Sequence, residues 1–354
     1  MPKEPVDQSI GKLGKHKVKR DKRTLVYSNY VRREHMPGIP DAKSWTKKQK
    51  GTWGMMDNWT LCDCTCAGAA HMVQCWTLNT GNEITIPTKD IIKAYSDVSG
   101  YDPKTKKHDD GANMLDLLNH WRKVGVGGHK ILAYATVDHR NTQLVIDAIY
   151  LFGGIYVGIQ LPKSIAGQHI WDVPATGLKG AGRVNSLGGH AVAVLDYDNE
   201  GVTCITWGKQ KKMTWAFWKA YVEESYAVLS PEFLKKKKTP AGFDLVQLEQ
   251  DLMNITHKRI QLSKELKPET SKTAVGPNGG RGGIKEKKLT TKIPEENLLG
   301  QSGKRGGVKG GELKKEQPQK KVLGHAGTKG GVKGSELKKN APKKKVMGNG
   351  GKKS

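Results

Sequence analysis

Residues 61–71 read LCDCTCAGAAH, with Cys62, Cys64 and Cys66 at every second position directly before a run of small residues. Thiols so arranged could be metal ligands, a structural cluster, or the setting of one nucleophile. Structural zinc takes cysteine pairs two to four residues apart, with a second pair or histidines further on. Here the spacing is one and no second pair follows, since Cys75 and Cys204 stand alone. A metal held by Cys62, Cys64, Cys66 and His71 or His190 is the weaker reading, so neither metal nor cofactor is expected.

The continuation CAGAAHMVQCWTL has Ala70, Val73 and Trp76 at helical spacing, with Asp63 or Thr65 available as N-cap. A buried helix starting at the cysteines is predicted. A helix N-terminus lowers the pKa of a thiol placed there through its unpaired amides and its positive dipole end. Cys64 is the residue so placed, and a nucleophilic thiol then needs a base from elsewhere in the chain. SLGGHAVAVLDYD supplies His190 at the start of a Val-rich strand, after two glycines that permit close backbone approach.

Around these residues the pattern changes along the chain. Met114, Leu117, Leu118 and Trp121 predict a second helix, and 142–151 a third with Leu144, Ile146, Ala148 and Ile149 inward. GGIYVGIQL, HAVAVLDYD, GVTCITWG and SYAVLS read as strands. Helices first and strands second imply an α+β fold.

At this point the chain resembles the papain-like cysteine peptidases, and particularly bacterial and bacteriophage members of that superfamily. NWTLCDCTCAGAAHM, GGHAVAVLDYD, and CITWG with MTWAFWKAY and SYAVL carry the resemblance, over roughly residues 25–230. It implies a helical half bearing the nucleophile helix, packed on a mostly antiparallel β half. It also implies Cys64 as nucleophile, His190 as general base and then acid, and Asn58 in the oxyanion hole beside the Cys64 N–H. The substrate would be a peptide or a cell-wall peptide. The family's Asn-Ser-Trp-Gly, whose Asn orients the histidine, is Ile205-Thr206-Trp207-Gly208 here. Thr206 is therefore the candidate for orienting His190, with Asp196 or Asp198 as alternatives if the strand register differs. Trp207, Trp215 and Trp218 are expected as core aromatics, and His71, Cys62, Cys66 and Cys75 as packing or surface residues.

The expected organisation is a basic flexible arm (1–24), the papain-like domain (25–234), an amphipathic helix (240–267) with Asp244 as N-cap, and a disordered tail (268–354). The chain of 354 residues carries a net charge of +26, and residues 235–354, with 30 basic against 11 acidic residues, hold +19 of it. No aromatic residue follows Phe243, which leaves the tail little with which to build a core. Three units, 281–304, 305–328 and 329–352, align without gaps at a period of 24. Their lysines would neutralise phosphates of nucleic acid or another polyanion, with affinity falling steeply with salt. Lacking stacking platforms, they are not expected to read single-stranded sequence.

No run of 18 apolar residues and no secretory signal is read, and the odd cysteine count argues against a disulfide framework. The expected location is the cytoplasm of a bacterium or phage-infected host, or a virion. A catalytically weak papain-like fold serving as a phage structural or nucleic-acid-binding protein is the alternative. Oligomeric state is left open.

Overall fold

The computed structural model describes residues 10–30, 35–256 and 261–262. The chain divides into two units, Met1–Leu289 and Thr290–Ser354; the second, and the expected tail with its three repeats, lie outside the described residues.

Eight strands form one sheet: β1 (Leu25–Val26), β2 (Lys43–Ser44), β3 (Ala133–Thr136), β4 (Ile155–Leu161), β5 (Gly188–Tyr197), β6 (Gly201–Thr206), β7 (Lys209–Thr214) and β8 (Val222–Leu229). Their order is β1-β3-β8-β4-β5-β6-β7, with β2 joined to β5. All pairings are antiparallel except β1 with β3. The helices are α1 (Cys64–Thr80), α2 (Thr88–Ser99), α3 (Met114–Lys123), α4 (Thr142–Phe152), α5 (Trp215–Tyr221) and α6 (Leu245–Thr256). The fold is thus α+β with a mostly antiparallel sheet.

α1 is buried without interruption from Cys64 to Thr77. A helix enclosed on all sides needs small residues where the sheet comes closest, and Ala67 to Ala70 meet that need. A Cβ at Gly68 would stand 3.1 Å from Tyr156 Cε2 and 3.5 Å from the Val192 backbone. Tyr156 from β4 ties the start of α1 to the sheet, its hydroxyl donating to the Thr65 carbonyl at 2.8 Å. Further along, Trp76 stacks on Trp121 of α3 at 5.7 Å and donates to Phe152 O at 2.7 Å. Burial of one such indole contributes roughly 4 to 6 kcal/mol as an upper bound.

The expected helices at 64 and 114 are present, and the four expected strands fall in β4, β5, β6 and β8. In α4 the buried face differs from the expected one: Val145, Ala148, Ile149, Leu151 and Phe152 are inward, whereas Leu144 and Ile146 are only partly covered. The Asn141 side chain caps this helix by accepting from Gln143 N and Leu144 N, which fixes its rotation. Other elements went unread, α2, β7 and β3 among them. α2 buries only Ile91, Ala94 and Tyr95, a narrow stripe among polar residues. In β7 the sole buried residue is Met213, and its lysines suit an edge strand that must not recruit another chain. β3 has only four residues.

The basic arm requires correction. Residues 10–24 are not free: Lys15 bridges Ala112, and Lys19 pairs with Asp116 at 2.6 Å. Asp244 does cap α6, accepting from Val246 N at 2.8 Å, and Leu245 is buried. The side chains of Leu252 and Ile255 and most residues beyond Thr256 lie outside the described residues.

Candidate active site

Cys64 opens α1 and has no exposed surface. Asp63 occupies the N-cap position, yet its side chain makes no capping bond. Burial pushes its carboxyl well above the usual range, offset only in part by the Asn58 amide. Burial likewise raises the Cys64 thiol to about 12, against the pull of the Ala191 and Gly14 backbone N–H groups. The helix terminus alone therefore does not make a thiolate in this resting state.

His190 is the third residue of β5, opposite Ile159 of β4, and is 1% exposed. Its Nε2 lies 2.7 Å from Oγ1 of Thr206, the last residue of β6. The next two residues, Trp207 and Gly208, make the β6–β7 turn with φ of 45° and 72°, the paired positive values of a tight hairpin. This turn lays the Trp207 indole on the imidazole, with centroids 4.7 Å apart and planes at 23°. Nδ1 is buried and has no hydrogen-bond partner among the described residues. Burial, helped by His71, lowers the imidazole to about 3. At neutral pH the thiol and the imidazole are both uncharged.

Asn58 is 2% exposed, and its Nδ2 donates to Leu61 O at 3.2 Å and to Lys12 O at 3.4 Å. The same Lys12 carbonyl accepts from Trp207 Nε1 at 3.2 Å. Trp207 thus touches both groups, sharing the imidazole with Thr206 and a backbone carbonyl of the N-terminal arm with Asn58. The two alternative orienting residues are elsewhere. Asp196 accepts from the backbone N–H groups of Trp45 and Thr46, and Asp198 binds Lys212 and its own turn.

The remaining thiols are not poised for chemistry. Burial raises Cys62 to about 11 and Cys204 to about 12, and holds Cys66 and Cys75 well above the ordinary range. No three His, Cys, Asp or Glu side chains among the described residues are arranged to hold a metal ion. His71 is buried and bonded to Gly54 O at 3.0 Å.

Sequence reasoning missed the arm itself. Lys12 N donates to Asn58 O at 3.1 Å, Lys15 N to Gly189 O at 3.1 Å, and Gly14 O accepts from Ala112 N at 2.8 Å. Gly14 lies so close that a Cβ there would stand 1.8 Å from Cys62 O. The signal was Gly14 within a run of lysines, a residue suited to close backbone approach. A groove of about 380 Å³ is lined by Trp207 with Ile10, Trp59, Ile165, Trp171 and Thr206 among others.

A cysteine opening a buried helix, packed on an antiparallel sheet that carries a histidine, is the arrangement of papain-like cysteine proteases, and solved structures of that class are similar to this chain. Xylellain, a cysteine protease from Xylella fastidiosa, is 12% identical over 65% of this chain and 99% of its own, with a TM-score of 0.49. The Carica candamarcensis cysteine protease CMS1MS2 in complex with E-64 is 14% identical over 54% of this chain and 99% of its own (TM-score 0.38). The cysteine protease and lectin-like domains of Cwp84 from Clostridium difficile are 10% identical over 55% of this chain and 54% of that structure (TM-score 0.41). No protein-family profile and no curated protein matches the chain.

Proposed function

We propose that the chain is a papain-like thiol hydrolase that cleaves peptide or related amide bonds, cell-wall peptides included. The observation that carries this reading is the His190–Thr206 hydrogen bond of 2.7 Å. It engages Nε2 and leaves Nδ1 as the nitrogen available to Cys64. In the cleavage step Nδ1 takes the thiol proton as sulfur attacks the carbonyl carbon. His190 then returns that proton to the leaving amine, and water resolves the acyl-enzyme. Asn58 Nδ2, on giving up its 3.4 Å bond to Lys12 O, and the Cys64 N–H are the donors assigned to the oxyanion, where charge develops only in the transition state.

The test is labelling by a thiol-reactive peptide electrophile with peptide mapping of the adduct. Wild-type chain should be labelled at Cys64 and Cys64→Ala should not; equal labelling of both would sink the assignment. The basic tail is proposed to localise this activity on nucleic acid or another polyanion. The neutral, wholly buried Cys64 and His190 favour a second reading, a silent papain-like fold used as a phage structural or nucleic-acid-binding protein. Hydrolysis abolished by Cys64→Ala decides between them.

A further inference from the structure

Lys15 belongs to a basic stretch in which Lys12, Lys17 and Lys19 are exposed, yet its own side chain has no exposed surface. Its ammonium forms an ion pair with Glu223 and another, at 2.9 Å, with Glu224. It also donates to His16 O at 2.8 Å. The aliphatic stem crosses Gly158 of β4. A Cβ at that position would stand 2.2 Å from Lys15 Cε, 2.7 Å from Glu224 Cγ and 2.8 Å from Met114 Sδ. The pocket therefore has a glycine floor, a methionine wall and two adjacent carboxylates at its end. Glu224 is 4% exposed and is held by the Tyr226 hydroxyl at 2.7 Å.

Buried carboxylates carry a desolvation penalty of several kcal/mol each unless a cation answers them. Two neighbouring glutamates around a channel wide enough for an alkyl stem are complementary to a basic side chain and to little else. The pocket also adjoins the chemistry. The Gly14 backbone, next to Lys15, acts on the Cys64 thiol, and the Lys15 N–H is bonded to the carbonyl of Gly189, the residue before His190.

We infer that Glu223 and Glu224, over Gly158, form an acidic subsite selecting a lysine or arginine side chain on peptides presented to Cys64, and that residues 10–16 occupy it in the resting chain. That such a peptide is cleaved rests on the thiol-hydrolase reading; that the pocket binds it does not.

The test measures binding, so the two can fail separately. Full-length chain carrying Lys15→Gly, which lacks the side chain that fills the pocket, is titrated with n-butylammonium, the lysine side chain as a free cation, and with n-butanol as its neutral counterpart, binding being read from the shift in melting temperature. The cation should bind about thirtyfold or more tightly, the cost of truncating one side of a buried charge pair. The preference should vanish in Lys15→Gly/Glu223→Gln/Glu224→Gln. Should that variant not fold, adding Glu223→Gln alone, whose side chain is 24% exposed, should shrink the preference severalfold. Equal affinities, no binding of either probe, or a preference unmoved by the glutamine substitutions would overturn the inference. Loss of Cys64 labelling with the binding preference intact would overturn the hydrolase reading instead.

Discussion

Thr206 holds His190 from the neighbouring strand: its Oγ1 stands 2.7 Å from Nε2, beneath the Trp207 ring that stacks on the same imidazole. A hydroxyl in that position can accept the imidazole N–H but carries no charge to stabilise an imidazolium. Thr206→Val keeps the shape and removes the bond. Turnover should fall on the order of tenfold to a hundredfold, with a smaller change in KM. Unchanged turnover in a steady-state assay would remove Thr206 from the site.

Asn58→Ala removes the side-chain donor assigned to the oxyanion. The expected loss is on the order of 10² to 10³ in kcat with little effect on KM. A rise in KM at constant kcat would show that Asn58 serves binding alone.

Asp196 supplies a contrast, because its bonds to Trp45 and Thr46 fasten the segment bearing β2 against β5. Asp196→Ala should lower stability by about 1 to 3 kcal/mol, the cost of leaving buried donors unpaired, without altering kcat. Urea denaturation and a rate measured well below the melting temperature separate the two effects.

The buried histidines make folding sensitive to acid. His71 is lowered to about 4 and His190 to about 3, both by burial, from an ordinary value of 6.5. The unfolded chain therefore binds more protons than the folded one below 6.5. Stability contributed by these groups is complete above that pH and is lost as the pH falls toward 4 and then 3. Melting temperatures measured from pH 7.5 to 4 should decline, and His71→Gln should flatten part of the slope.

Thiol accessibility is a further check. Only Cys62 is partly exposed, and Cys64, Cys66, Cys75 and Cys204 are buried. A disulfide reagent at pH 8 should titrate at most one thiol rapidly in native chain and all five after denaturation. Fast modification of two or more native thiols would contradict this burial.

The small-residue run after Cys64, the Val-rich strand after His190 and the strand-rich second half were legible because their periodicities are local. α2, β7 and the inward face of α4 were not, since each depends on which neighbour covers it. The Trp-Gly pair at 207 and 208 could be quoted as a motif, but its use as the turn that roofs His190 follows from the pairing of β6 with β7.

The sequence by itself determined the α+β class of fold and the excess of positive charge, and it singled out Cys64 and His190 as candidates, to which the family resemblance added Asn58 and Thr206. Periodicity, turn residues and composition act over short stretches and need no partner. Only the tertiary structure decided that Thr206, rather than Asp196 or Asp198, meets the imidazole, because a strand's register sets which side chain faces which. It alone brought Lys15 to Glu223 and Glu224, more than 200 positions away. Such a pair forms because burying either charge without the other is unfavourable, and no local pattern along the chain records that coupling.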